Sequence, residues 1–469
     1  MSNKNVDISL NGSIIKSIIV ISIPIVFANL LQSAYQLIDA FWVGRLWADS
    51  VAAVWLTFPI TFLTISLWTG FAIAWSTLIA QYVWAKNQKM VNHVAAQTIL
   101  SVVVISCLLW AIWFILAPYI LTFMWVEAWV YKAALEFMRI GFVWIIFVFW
   151  FAMFQSIMRG LGQVSIPLYI IWATVFLNFF LDPLFIYGLN MWVAGAAVAT
   201  LVTQSLAAFT GLYILFNGKY GIKLEKKDFI PDMKYIKKAF FLWLPSSIEM
   251  SARALSLVAM TFLITSFGTL AIAGYSAGAN ILQLIIIPAM WMSMATSVLV
   301  GQNIWAKNYQ RAQDITKVSS YIWFGLLTFL GIIIFFTAPY LISVFVPNDP
   351  EVIRVWGEFL RFIALSFWFI GIQFIVNGAF RAAGNMKTTL VLTILSQWVI
   401  QFPLAYYLSK YTSLGIEGIW YSFPISFILS AIVTVVWFNK WTWKNTKITQ
   451  EEKQQSKVFD ETLAEEVIQ

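Results

Sequence analysis

Long apolar runs such as Leu100 to Phe123 and Ile322 to Tyr340 constrain this chain most. Each is long enough, at 1.5 Å per residue, to cross the ~30 Å hydrocarbon layer of a bilayer as a helix. Of the 469 residues, 61% are hydrophobic and 11% charged, more apolar surface than a soluble core absorbs. The sequence therefore predicts an all-α, polytopic membrane protein. The polar N-terminus, MSNKNVDISLNGS, leads into an apolar segment too long for a signal peptide, so insertion rather than secretion is expected.

Apolar runs of about 20 residues suggest roughly 12 spans. They are placed near 16–43, 51–82, 94–117, 132–158, 165–186, 193–216, 239–266, 272–303, 318–338, 355–380, 388–408 and 416–438. Between the sixth and seventh lie Lys219, Lys223, Lys226, Lys227, Lys234, Lys237 and Lys238. Lys86/Lys89, Arg159, Lys307/Arg311 and Arg381/Lys387 fall on the same side by count, whereas Tyr187 to Met191 and Gly268 to Leu270 hold no Lys or Arg. By the positive-inside rule both termini face the cytoplasm, and the protein belongs in the plasma (inner) membrane. The net charge of +8 thus reports orientation rather than nucleic-acid binding. One cysteine, Cys107, excludes an intramolecular disulfide. One histidine, His93, cannot build a metal cluster, and no phosphate-loop pattern signals ATP use.

The chain is also duplicated. AQYVWAKN (80–87) returns as GQNIWAKN (301–308), EFMRI (136–140) as EFLRF (358–362), RGLGQ (159–163) as RAAGN (381–385), and Pro24 as Pro245, at spacings of 221 or 222 residues. Ordered matches at near-constant spacing, two of them in polar loops, are a poor fit to chance. Six spans per half is an even number, so the halves share one topology. The expected organisation is an N-terminal six-helix lobe (1–216), a basic cytoplasmic linker (217–238), a C-terminal six-helix lobe (239–440) and a polar tail (441–469). Two pseudo-symmetric bundles enclosing a central cavity are transporter architecture.

Ionisable residues inside spans are costly unless paired or hydrated, and so point to mechanism. Asp39 lies in span 1. Asn178 and Asp182 lie in span 5 at i, i+4 spacing, on one helix face. With Thr200 of span 6 they form an oxygen donor set suited to a hard cation, or a carboxylate pair suited to a proton. The alternative is that Asp39 merely reaches water and Asp182-Pro183 ends a helix. The second half offers no counterpart, since Met260 stands at the position of Asp39 and Phe402 and Pro403 stand near that of Asp182. Glu136/Arg139 and Glu358/Arg361 recur in both halves, which favours a structural role. Gln155, Gln283, Gln373 and Asn377 could line a cleft or bond between helices; Tyr35 and Met290 are further candidates for substrate contact. Pro24 removes a backbone hydrogen bond from span 1 and offers a hinge.

Several ordered pieces resemble the multidrug and toxic compound extrusion (MATE) family: SIPIVFANLLQSAYQLIDAFWVG, STLIAQYVWAKN, FQSIMRGLGQ, NFFLDPLFIYG, VAGAAVATL, LPSSIEMSARAL, and GQNIWAKN with GAFRAAGN. The resemblance runs from about Ile15 to Lys440. It implies a cation-coupled antiporter, not an enzyme, that exports organic cations, drugs or toxic metabolites by alternating access. It also implies an N-lobe cation site at Asp39, Asn178, Asp182 and Thr200, taking H+ or Na+, with no other cofactor. Small organic molecules and the bilayer are the implied partners, nucleic acid is not, and a monomer is expected. Some branches carry a glutamate in span 7 eight residues after its proline. Here Arg253 stands there, with Glu249 one turn earlier, which argues for the branch using the N-lobe site alone; the two also suit an i, i+4 pair. A lipid-linked oligosaccharide flippase is the alternative, and would want a cleft rich in Arg and Lys.

Tryptophan usage is anomalous, with 25 Trp against 23 Gly. That glycine content is below the average of about 7%. The duplication sets Trp47 against Gly268, Gly70 against Trp291, and Trp192 against Gly415. Trp84 and Trp305 share one position after a helix where a left-handed glycine is the ordinary choice. The resembled family usually has glycine at Trp47, Trp55, Trp75, Trp84, Trp192 and Trp305. UGA is read as tryptophan in one variant code and as glycine in another, so many of these tryptophans are expected to stand where the cell inserts glycine. The alternative is a Trp-rich transporter whose rings hold cations.

Overall fold

The computed structural model describes residues 12–43, 66–80, 82–83, 87–123, 128–218, 220–345 and 350–440. The chain separates into two compact units, Met1–Ser251 and Ala252–Gln469. In the first unit the helices are α1 (Ile14–Val43), α2 (Ser66–Ala80), α3 (Gln88–Phe123), α4 (Ala128–Gly160), α5 (Ser165–Pro183), α6 (Trp192–Phe216) and the part of α7 (Met233–Thr265) up to Ser251. The second unit takes the rest of α7, then α8 (Thr269–Trp305), α9 (Tyr309–Phe345), α10 (Pro350–Ala364), α11 (Phe367–Ala382), α12 (Met386–Ile394), α13 (Phe402–Tyr411) and α14 (Ile416–Asn439).

Among the described residues, ten helices are long and apolar enough to cross a membrane, counting α12, the π-helical turn Leu395–Gln401 and α13 as one, Met386–Tyr411. Helices α10 and α11, bent by 50°, form an eleventh as a broken span, and α2 is the described part of the span expected over 51–82. The bend lies within the span expected over 355–380. No proline causes it. Ser366 instead folds back, its amide (2.8 Å) and hydroxyl (2.7 Å) both donating to the carbonyl of Ile363 and capping α10 early. In the first unit α4 runs unbroken through the equivalent region.

The duplication is visible in contacts as well as in sequence. The Arg139 guanidinium lies 5.1 Å from the Phe114 ring, and that of Arg361 lies 6.0 Å from the Phe335 ring. The members of each pair are related by 222 and 221 residues, so the same cation–π clasp joins the same two helices in both units. Arg361 also donates to the Phe335 carbonyl at 3.1 Å. The α2–α4 seam, where the Ser156 hydroxyl donates to Ala72 O at 2.7 Å, likewise recurs between α8 and α11. There Gly378 brings its backbone against the carbonyl and hydroxyl of Ser293.

Residues 217–238, expected from the sequence as a linker, fall within the first unit. Side chains on one end of α3 bind them down there. Gln97 donates to Asp228 O and Ile230 O (both 2.8 Å) and accepts from Asp232 N (3.0 Å). Asn92 accepts from Lys223 N (3.1 Å), and Gln88 donates to Gly221 O (2.5 Å). A short 3-10 turn, Lys226–Phe229, is closed by reciprocal capping between Glu225 and Asp228.

Two tryptophan expectations meet the backbone here. Trp192 has φ +52° and its counterpart Gly415 has φ +54°, so the indole occupies a left-handed position that its repeat partner fills with glycine. At Trp305 the structure corrects the sequence argument. Trp305 is the last residue of α8, and the left-handed residue is Lys307, φ +58°. A Schellman-like ending explains the shift, because Lys307 N reaches back to Ile304 O and Asn308 N to Asn303 O. Trp75 is packed in the core against Phe71 and is 1% exposed. Trp47, Trp55 and Trp84 lie outside the described residues.

Candidate functional site in the first unit

Helix α5 has a buried stripe, Pro167, Ile171, Thr174, Val175, Asn178 and Asp182, recurring at helical spacing. Its other side, with Phe176, Phe179 and Phe180, is exposed, as suits contact with lipid. The stripe ends on its two most polar members. Asn178 Nδ2 donates to Asp182 Oδ1 at 3.1 Å, and neither residue has any exposed surface. Pro183 follows Asp182, and the chain then widens into a π-helical turn, Leu184–Gly188. Such turns frequently mark functional positions, since they re-aim side chains without ending the helix.

Helix α6 returns against this turn. Gly195 meets the backbone of Phe185 and Ile186 so closely that a Cβ would lie 2.7 Å from the Phe185 carbonyl carbon. Counted from that crossing, Asp182 is about one turn back along α5 and Thr200 a little over one turn onward along α6, so the two sit at similar height. Thr200 is buried, its hydroxyl donating to Ala196 O at 3.0 Å. Gln204, one turn further on α6 and 5% exposed, was not singled out from the sequence. Its i, i+4 spacing from Thr200 in a mostly apolar helix was the available signal.

Helix α1 packs on α5 and, more lightly, on α6. Trp42 fixes its end, with ring centroids 6.0 Å from Phe179 and 6.3 Å from Tyr187, over the buried pair Ile186 and Ala196. Asp39 lies in this last stretch of α1, one turn before Trp42; its side chain is outside the described residues. Tyr35, one turn earlier, is buried. Pro24 lies within α1. The structure therefore brings Asn178 and Asp182 into direct contact, sets Thr200 on the neighbouring helix, and packs the Asp39 helix against both.

The remaining candidates are scattered. Gln155 is half-buried in α4. In the second unit Gln373 and Asn377 are buried on one face of α11, Met290 is half-buried, and Gln283 is exposed. Met260, at the counterpart of Asp39, is 1% exposed, an apolar core residue where the first unit carries its acid. Arg253 donates to Thr393 Oγ1 at 2.8 Å and lies 4.9 Å from the Phe374 ring, while Glu249 is wholly buried in the first unit.

A twice-repeated helical membrane protein with a buried polar pair in one repeat has the organisation of a membrane transporter. The MatE family model matches residues 24–184 and 245–407, once in each half. The chain belongs to the MATE family of multidrug efflux transporters. It is 29% identical over 446 residues to the probable multidrug resistance protein YpnP of Bacillus subtilis, covering 94% of this chain and 98% of that protein. It is 25% identical over 445 residues to the probable multidrug resistance protein NorM of Thermotoga maritima, covering 93% and 95%. A crystal structure of a MATE protein in the bent conformation matches with TM-score 0.88 at 24% identity, covering 97% of this chain and all of that one. An outward-facing multidrug resistance MATE family transporter matches with TM-score 0.87, also at 24% identity, over 96% of this chain and all of that one. These likenesses show the fold.

Proposed function

We propose that the protein is an antiporter in which H+ or Na+, taken up among Asp39, Asn178, Asp182 and Thr200, drives export of organic cations, drugs or toxic metabolites. The observation that carries this is the fully buried Asn178–Asp182 pair. A carboxylate withdrawn from water in an apolar bundle gains most from a proton or a hard cation, because either neutralises a charge that burial penalises. The named relatives are multidrug resistance proteins, which supports a substrate class of small organic molecules. Neutralisation at the site would relax the packing of α1, and Pro24, unable to donate to the carbonyl one turn before it, gives that helix a place to bend. Alternating access follows if α1 has two packings of similar energy, each favoured by a different ligand.

In this proposal the protein acts as a monomer in the plasma membrane with both termini cytoplasmic, and lobes 1–216 and 239–440 are joined by the linker 217–238. The test is efflux of a fluorescent organic cation from proteoliposomes under separately imposed sodium and pH gradients. Wild-type protein should respond to at least one gradient, and Asp39→Asn should abolish that response. Efflux that kept its ion dependence in the variant would reject the site.

A further inference from the structure

The linker presents its charges unevenly. Its acids are turned to internal tasks. Asp228 accepts from Glu225 N at 3.0 Å, Asp232 accepts from Lys234 N at 3.0 Å and faces His93 Nε2 at 3.3 Å, and Glu225 pairs with Lys227 at 2.6 Å. Lys226, Lys234 and Lys237 are exposed, and between them stand two exposed apolar side chains, Ile230 (67%) and Met233 (70%). The segment that carries them is held by the Gln97 hydrogen bonds and by Phe229 stacked on Phe216 at 6.1 Å. Exposed apolar side chains flanked along the chain by exposed lysines, on a fixed scaffold, suit a surface that is anionic at one depth and apolar at the next.

Helix α7 sets that depth. Its exposed residues Lys234, Lys237, Phe241, Leu244 and Ile248 follow one another at helical spacing, so the face that is apolar further along begins with lysines. With 33 residues α7 is about 50 Å long, well beyond the ~30 Å hydrocarbon layer, which leaves its lysine-bearing first turns length to spare for the headgroup region. Lysine stems suit this boundary, the methylenes lying on apolar surface and the ammonium reaching phosphate.

We infer that the linker and the first turns of α7 form a docking surface for anionic phospholipid, with Lys226, Lys234 and Lys237 holding headgroup phosphates and Ile230 and Met233 entering the glycerol and upper acyl region. The inference concerns the bilayer face on the linker side, and does not depend on the transport proposal.

The experiment is the thermal unfolding of the full-length protein in neutral detergent, titrated with phosphatidylglycerol, phosphatidylcholine or inorganic phosphate. Native mass spectrometry would count the retained lipid. Phosphatidylglycerol should raise the unfolding temperature more than phosphatidylcholine, and inorganic phosphate should not reproduce the rise. K226Q/K234Q/K237Q should weaken phosphatidylglycerol binding about fivefold per lysine removed while keeping the wild-type unfolding temperature in phosphatidylcholine. K317Q/K387Q/K410Q, which removes the same charge from exposed sites elsewhere, should bind as wild type does, and Ile230→Ser should weaken retention with every lysine present. Equal binding of the two lipids, an equal effect of inorganic phosphate, full binding by the linker variant, or an equal loss in the control variant would each overturn the proposal.

Discussion

Asn178 and Asp182 are linked by a 3.1 Å hydrogen bond across one turn of α5, with both side chains wholly buried. The bond makes the amide a reporter on the carboxylate. Asn178→Ala should cost about 1–3 kcal/mol, the usual penalty for taking a hydrogen bond from a buried acceptor. Adding Asp182→Asn should return part of that loss, because a neutral group needs its partner less. Thermal unfolding of both single variants and the double variant gives the coupling, and strictly additive effects would contradict it.

Gln97 satisfies three backbone groups of the linker with one wholly buried amide. Gln97→Ala leaves those groups to water or to nothing, at a cost of about 1–3 kcal/mol. The linker should then be cut faster by trypsin at Lys226 and Lys227. Digestion rates followed by gel would show it, with Gln88→Ala, which loses a single exposed contact to the linker, as the milder comparison.

Trp192 holds a left-handed backbone with about half its surface exposed, so its ring contributes little burial to offset the strain. Trp192→Gly should raise stability by about 1 kcal/mol, the strain relieved less the extra freedom of an unfolded glycine. A stability loss would show the indole to be a true part of the fold. The coding DNA is the direct check, since UGA at position 192 agrees with glycine in the cell and UGG does not.

Gly70 faces the opposite problem. A Cβ there would lie 2.7 Å from the Ser247 backbone nitrogen and 2.9 Å from its Cα. Helix α7 can approach α2 only over a bare Cα, so Gly70→Ala should destabilise by about 1–3 kcal/mol through overpacking. Unfolding temperature reads the loss. In the second unit the equivalent position carries Trp291, which is buried.

Much of the fold was legible in the sequence because hydrocarbon imposes one simple rule, that backbone polar groups bond internally over a fixed thickness. The apolar runs gave the spans, and the repeat gave the pairing Arg139 with Arg361 before their clasps on Phe114 and Phe335 were visible. The break at Ser366 was not legible. A serine folding back on its own helix leaves no mark that distinguishes it from the many serines that do not. The π-turn after Asp182 and the second one, Leu395–Gln401, were equally silent, since one residue of extra winding changes no hydropathy pattern. At the site, the i, i+4 spacing predicted that Asn178 and Asp182 share a face, and they do. That Gln204 joins Thr200 on the buried side of α6 was within reach of the same rule.

By itself the sequence determined that this is a duplicated helical membrane protein with Asp39 and Asp182 in the spans of its first half, because helix length, periodicity and the cost of a charge in hydrocarbon are local properties. Which faces turn inward is a different matter. Tertiary structure decided that the stripe ending in Asp182 packs beneath α1 and α6, that the linker is bound down by Gln97, and that the left-handed residue after α8 is Lys307 rather than Trp305. Those outcomes depend on which backbone groups find partners from distant parts of the chain, and spacing along one helix does not carry that information.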